Sequence, residues 1–146
     1  MIIIKSFSEL NIQELYQILR LRSEVFVVEQ DCVYQDMDNN DQKAIHLFYK
    51  EKNRTIAYTR IFKQGDYYDN PSIGRVVVKE KNRGKELGKK IMLSSIDFIK
   101  KNLQGKQIEL SAQKYLDKFY RDLGFYVKGE EYLEDGIPHQ RMFYYL

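Results

Sequence analysis

The sequence holds a single cysteine, Cys32, with two prolines and no tryptophan. One thiol cannot build an internal disulfide framework and suits a reducing interior, so a cytoplasmic protein is expected. No apolar run approaches the roughly 18 residues that a membrane-spanning helix needs. Met1–Lys5 lacks the basic region and the longer apolar core of a secretion signal. Repeats, Ser/Gly/Pro-rich linkers and long charge blocks are absent too, so one domain is expected over residues 1–146. Charge of one sign is scarce. The 24 basic and 21 acidic residues leave +3, without the concentrated basic face of a nucleic-acid binder. His46, His139 and Cys32 are too scattered for a zinc set. Asp36-x-Asp38-x-Asn40 hints at a calcium loop, but Asp41 stands where glycine is required and Leu47 where a bidentate Glu is required. No metal is expected. What the chain has in excess is tyrosine, with 12.

Periodicity predicts the elements. Ile2–Phe7 reads as a strand, and Ser8 or Asn11 can cap a helix whose face is Leu15, Ile18, Leu19, Arg22, Val25 and Phe26. Polar, acidic Asp31–Gln42 reads as a loop. Ala44–Lys50 and Thr55–Phe62 read as strands about the turn Glu51–Arg54, and Gly65–Ser72 as a loop. Ile73–Lys79 is expected as a strand, its Val76-Val77-Val78 run buried on both faces. Then come a helix with Leu87, Ile91, Ser95, Phe98 and Ile99 on one face, ended by Gly105, and a short strand at Ile108–Ser111. A helix at Tyr115–Leu123 is stopped by Gly124, before strands at Phe125–Lys128 and Arg141–Tyr145. The order implies a mixed α/β layer fold with one predominantly antiparallel half. The tail Met142–Leu146 can complete the sheet or meet the second subunit of a homodimer.

The strongest chemical signal is the turn after the valine strand, Lys79-Glu80-Lys81-Asn82-Arg83-Gly84-Lys85-Glu86-Leu87-Gly88-Lys89. A helix start carries free amides and the positive end of the dipole, so it can hold an anion. Gly84 and Gly88 let backbone approach a bulky phosphate, and Arg83, Lys85, Lys89 and Lys90 add positive charge. A solvated basic helix with a glycine turn explains these residues equally well. There is no Gly-x-x-x-x-Gly-Lys-Ser/Thr and no Gly-x-Gly-x-x-Gly after the first strand, which sets aside a P-loop and a dinucleotide site.

Arg83-Gly84-Lys85-Glu86-Leu87-Gly88-Lys89 resembles the coenzyme A pyrophosphate loop of the GNAT superfamily of N-acetyltransferases, with Glu86 where the family pattern has its middle glycine. Phe119-Tyr120-Arg121-Asp122-Leu123-Gly124-Phe125 resembles the Phe-Tyr-x-x-x-Gly-Phe element late in the same superfamily. The front third, Leu21–Tyr34 with Asp38, Asp41, Ala44 and His46-Leu47, is similar to its ElaA-type branch. So are Ile73–Val78 and Glu134–His139.

The resemblance implies a central, mostly antiparallel twisted sheet with splayed strands 4 and 5 and helices on both faces. It implies acetyl-CoA as cosubstrate and a small-molecule or peptide amine as acceptor, with direct transfer in a ternary complex. Val76, Val77 and Val78 would pair with the pantetheine arm. Arg83, Gly84, Lys85, Glu86, Leu87, Gly88 and Lys89 would hold the pyrophosphate, the Glu86 side chain turned outward, and Gln113 would contact the arm. Tyr120 would be the general acid, against the plainer reading of a core tyrosine. For a general base the sequence offers His46 or Glu29, each of which also reads as structural or surface; water is a third possibility. Arg22, Phe26, Glu29 and Arg75 are candidates to line the acceptor pocket. Buried arginines equally suit a structural network with Asp36, Asp38 and Asp41. Two rival functions stand beside this one. Arg22-x-x-x-Phe26 with the following aspartates resembles the front of acyl-homoserine-lactone synthases, and the altered loop at Glu86 admits a non-catalytic CoA-binding sensor.

Overall fold

A computed structural model describes residues 1–146. β1 (Ile2–Ser6) leads through a short 3-10 turn into α1 (Ile12–Arg22). A reciprocal cap sets where α1 begins: Asn11 Oδ1 accepts from the Glu14 amide at 2.8 Å, and Glu14 Oε1 accepts from the Asn11 amide at 2.9 Å. Of the two caps the sequence allows, Asn11 therefore serves α1. After Arg22 the winding widens into a π-helical stretch, Ser23–Glu29, whose Val25 and Val27 carbonyls accept from the amides of Gln30 and Cys32 at 3.1 Å. The α-periodic face drawn from sequence stops here. Val25 stays in the core, while Phe26, Glu29 and Gln30 turn toward a cleft.

β2 (Ile45–Glu51) and β3 (Arg54–Phe62) form a hairpin, followed by β4 (Ser72–Val78), α2 (Leu87–Asn102), β5 (Gln107–Gln113), α3 (Asp117–Asp122), β6 (Tyr126–Val127), β7 (Tyr132–Glu134) and β8 (Ile137–Tyr145). The sheet order is β1-β2-β3-β4-β5-β8-β6, with β7 paired to β8. Every pairing is antiparallel except β4 with β5. The C-terminal residues complete the sheet between β5 and β6. Helix α1 packs Ile18 and Leu21 on Phe48, Tyr58 and Val77 on one face. On the other, Ile91, Met92, Ile96 and Ile99 of α2 and Tyr120 of α3 share a core with Ile61, Ile108, Leu110 and Met142.

Several expectations change. The sequence reading passes over β7, although Asp135-Gly136 is a hairpin signal; both residues have positive φ, 50° and 76°. β5 runs through Gln113, so this glutamine ends the strand instead of following it. The residues Lys114–Leu116 are a 3-10 turn, and α3 begins only at Asp117. The valine run is not buried on both faces: Val77 is buried, whereas Val76 and Val78 are half-buried. The cause is the separation of β4 from β5.

Candidate active site

The β4–β5 pairing is a single register pair, Ser72 with Glu109, beside one bond from the Glu109 amide to the Pro71 carbonyl at 2.9 Å. Beyond Ser72 the two parallel strands diverge, and the β4 edge facing the gap has no strand partner. On its other side β4 is bulged. Tyr58 pairs with Val77 and Arg60 with Gly74, so Thr59 alone faces both Arg75 and Val76. Arg75 takes φ 47°, a left-handed conformation costly for a side chain bearing a Cβ. The gap opens into a cleft of about 1200 Å³ lined by residues from α1's π-helical extension, β4, the start of α2, β5, α3 and the β7–β8 turn.

At one end of the cleft lies the turn before α2. Gly84 has φ 80° and Glu86 has φ 60°, ψ 20°, so the chain makes two left-handed steps before the helix. Glu86 is exposed and gives α2 no side-chain cap. Gly88 packs close: a Cβ there would stand 3.4 Å from the Phe119 ring. The first turn of α2 holds no acidic residue, and Lys89 and Lys90 sit in it instead. Cations at the positive end of a helix dipole are unfavourable alone, which fits a polyanionic ligand at this place. Arg83 reaches back along β4, its Nε donating to the Val78 carbonyl at 3.1 Å. Its Nη1 and Nη2 meet Glu29 Oε2 and Oε1 at 2.5 and 2.9 Å. The sequence gives no sign of this pair, which joins residues 54 positions apart.

At the centre, Tyr120 projects from α3 and is 5% exposed, edge-on to Phe119 and Phe125. Burial raises its phenol above the ordinary tyrosine value, so it stays protonated at neutral pH. Gln113, at the end of β5, donates from Nε2 to Gln30 Oε1 at 3.4 Å across the cleft.

Three of the proposed site residues do not line the cleft: Arg22, His46 and Lys85, which is exposed on the surface. Arg22 is fully buried, donating from Nε to Asp36 Oδ2 at 2.9 Å and from Nη1 to Asp41 Oδ1 at 2.8 Å. Arg60 meets Asp38 and Asp41, and Arg75 meets Asp36 through both Nε and Nη2 at 2.8 Å. The aspartates that hinted at calcium are thus taken by three guanidinium groups, and the network pins the loop before β2 to the β4 bulge. Arg22 is a member of it and not an acceptor contact. Arg75 belongs to it as well, yet also lines the cleft, as does Phe26. His46 is fully buried with both ring nitrogens engaged. Nε2 lies 2.9 Å from the Asp41 carbonyl, an acceptor only, so Nε2 carries the hydrogen; Nδ1 then accepts from the Tyr58 hydroxyl at 2.6 Å. That geometry leaves no nitrogen free to serve as a base.

The network sets an acid limit on folding. Burial would raise Asp38 and Asp41, but the guanidinium bonds outweigh it and hold both below their ordinary value. Burial lowers His46. For each group the unfolded chain binds protons more readily, so stability rises with pH. The His46 contribution is present above about pH 6.5 and is lost below it; the aspartate contribution is lost as pH falls through about 4. The thermal unfolding midpoint, followed by circular dichroism, is expected to decline below pH 6.5 and to fall more steeply below pH 4. A midpoint flat from pH 7 to 3 would contradict this assignment.

Sequence reasoning missed the far wall of the cleft. Tyr67, Tyr68, Ser111, Glu134, Asp135 and His139 line it. Tyr67 stacks on Phe62 with ring centroids 4.8 Å apart, and the Arg141 guanidinium lies 4.6 Å from the centre of the Tyr68 ring. The Asp-Gly turn was the available signal for the Glu134–His139 part.

A family model described as acetyltransferase (GNAT) domain matches residues 5–146. The chain is similar to the protein ElaA of Escherichia coli, 40% identical over 90% of this chain and 88% of that one. The crystal structure of ElaA superposes with a TM-score of 0.90 over 99% of both chains at 35% identity. The crystal structure of an acyl-CoA N-acyltransferase from Pseudomonas aeruginosa superposes with a TM-score of 0.91, also over 99% of both chains, at 36% identity.

Proposed function

We propose, from the premise that this chain belongs to the acetyltransferase (GNAT) domain family, that it is an acetyl-CoA-dependent N-acetyltransferase acting on a primary amine of a small molecule or peptide. The observation that carries the reading is the open β4 edge, facing a cleft with a basic helix start at one end and a buried phenol at its centre. An arm rich in amides can pair with the main-chain groups of the Val76–Val78 edge that point into the gap, where Arg83 Nε now holds the Val78 carbonyl. The amides of Gly84 through Gly88 and the charges of Arg83, Lys85 and Lys89 suit the pyrophosphate. Bound acetyl-CoA supplies an activated acyl group as a thioester. A β4 amide aimed into the gap can polarise the thioester carbonyl. Tyr120 gives its phenolic proton to the departing sulfur. Transfer is direct: Cys32 lies at the cleft edge, its Sγ 3.7 Å from the Asp135 carbonyl, with no base beside it, so no acyl-enzyme step is assigned to it.

Titration with CoA by calorimetry tests the foundation, and thiol release from acetyl-CoA over a panel of primary amines tests the reaction. No binding of CoA would remove the reading. Binding without turnover on any amine would favour the sensor function. Product analysis with S-adenosylmethionine and acyl donors separates a homoserine-lactone synthase.

The Glu29–Arg83 pair has a consequence for binding. Glu29 holds the guanidinium that the pyrophosphate needs, so the carboxylate competes with the ligand. Glu29→Gln is expected to tighten CoA binding up to about fivefold, the upper end for an exposed ion pair. Unchanged or weakened binding would show that Glu29 does not mask Arg83.

A further inference from the structure

Of the two side chains that the sequence offers as a base, His46 is enclosed and Glu29 is bonded to Arg83. A second histidine stands in the cleft. His139 is 6% exposed, on β8, directly opposite Gln113. Its Nδ1 is 2.7 Å from the Ile137 carbonyl oxygen, which can only accept, so Nδ1 carries a hydrogen. That fixes the ring and leaves Nε2 as the one nitrogen able to gain or lose a proton. Glu134 Oε2 lies 3.2 Å from Nε2. Glu134 is steadied in turn: Tyr132 hydrogen-bonds to Ser111 Oγ, which donates to Glu134 Oε1 at 3.4 Å. The Tyr132 ring stacks on the imidazole at 27°. The other charged group nearby is Arg141, further along β8, with its guanidinium 5.7 Å from the Tyr132 ring centre and its Nη1 bonded to Glu109.

The register places this pair beside the gap. Ser72 pairs with Glu109 in a parallel ladder, so four residues further on Val76 and Gln113 stand at similar height on the two sides of the divergence. Gln113 pairs with His139. Paired residues share a sheet face, and alternation from Tyr58 through Phe62, Ser72, Glu109 and Gln113 puts His139 on the face that α1 covers elsewhere. Tyr120 belongs to the core on the opposite face, with Ile108, Leu110 and Ala112. The two groups therefore flank the gap from opposite sides.

Resting on the acetyltransferase reading, we infer that His139 is the group that deprotonates the acceptor, and that Glu134 beside it receives the acceptor as an ammonium ion. The nitrogen arrives with three hydrogens and ends as an amide with one. Its first proton passes to His139 Nε2 and then to water, which frees the electron pair that forms the C–N bond as the C–S bond breaks. Its second proton replaces the one that Tyr120 gives to the leaving sulfur. Acceptor and sulfur thus use the two sides of the sheet, and the acceptor class is a protonated amine.

The test uses the full chain with His139→Asn and Glu134→Gln, with benzylamine as the probe amine. All three proteins should bind CoA alike; failure of the unaltered protein to bind CoA would defeat the acetyltransferase reading instead. By NMR of the imidazole signals in the CoA-loaded protein, the signal missing from His139→Asn should shift when benzylamine is added. The shift should weaken in Glu134→Gln, which loses the carboxylate that faces the ammonium. In thiol release from acetyl-CoA, His139→Asn should lower the rate about 100-fold at neutral pH, with the deficit closing as pH rises and the amine arrives neutral. Glu134→Gln, at a half-exposed position that does not threaten the fold, should raise the amine KM more than it lowers kcat. A His139 signal that does not respond to benzylamine overturns the assignment, as does a pH–rate profile that His139→Asn leaves unchanged.

Discussion

Tyr120→Phe is expected to reduce acetyl transfer by about 10³-fold while leaving CoA affinity within about twofold, because general acid catalysis by a placed group is worth about 10² to 10⁴. The hydroxyl is the only group that the substitution removes. The ring keeps its edge-on contacts with Phe119 and Phe125, so the core around α3 is unaltered and folding is a poor explanation for any loss. The hydroxyl makes no hydrogen bond within the protein, so no partner is left unsatisfied. Burial, which keeps the phenol protonated, is what suits it to give a proton to a thiolate. The measurement is thiol release beside calorimetry with CoA. An unaltered rate would sink the acid role and return Tyr120 to a core residue.

Arg22→Met is expected to be the most damaging substitution for folding. Arg22 is fully buried and joins Asp36 to Asp41. Its removal leaves two inward carboxylates short of a counter-charge, and breaking one partner of a buried ion network costs about 3–5 kcal/mol. For a domain near this size that is a fall of about 10 °C in unfolding midpoint. The double variant Arg22→Met, Asp41→Asn should recover part of the loss, since it removes one stranded charge. Asp41 also accepts from Arg60 in the unaltered protein, so the second change weakens that pair and recovery will be incomplete. A single variant as stable as the unaltered protein would mean that water or rearrangement compensates the aspartates, and the network would lose its structural role. Because Asp36 also anchors Arg75 at the β4 bulge, the cleft wall should loosen with the fold.

Much of the fold was legible because it rests on periodicity. Ile18, Arg22 and Val25 on the first helix face, and Ile91, Ser95 and Ile99 on α2, follow a local period that burial then obeys. The glycine-bearing turn before α2 is legible for the same reason: its glycines and lysines are contiguous. The π-helical stretch was not, since Ser23–Glu29 carries apolar residues that α and π winding use equally well. β7 was passed over because three residues ending in Asp-Gly are too few for a period. For His46 and Arg22 the sequence leaves a site role and a structural role both open, because a polar residue on an apolar stripe reads alike whether it faces a substrate or a buried partner.

By itself the sequence determined the family, the order of every element except β7, the glycine-bearing turn before α2 and the position of Tyr120 on a helix stripe. It could do so because each depends on residues near one another along the chain. Tertiary structure decided which of the candidates meet. It turned the valine run into the half-covered edge of a parting sheet, joined Arg83 to Glu29, enclosed His46, and set His139 beside Glu134 across from the gap. Those outcomes follow from strand register and from where β4 leaves β5. Register is a relation between distant segments, fixed only when their side chains pack.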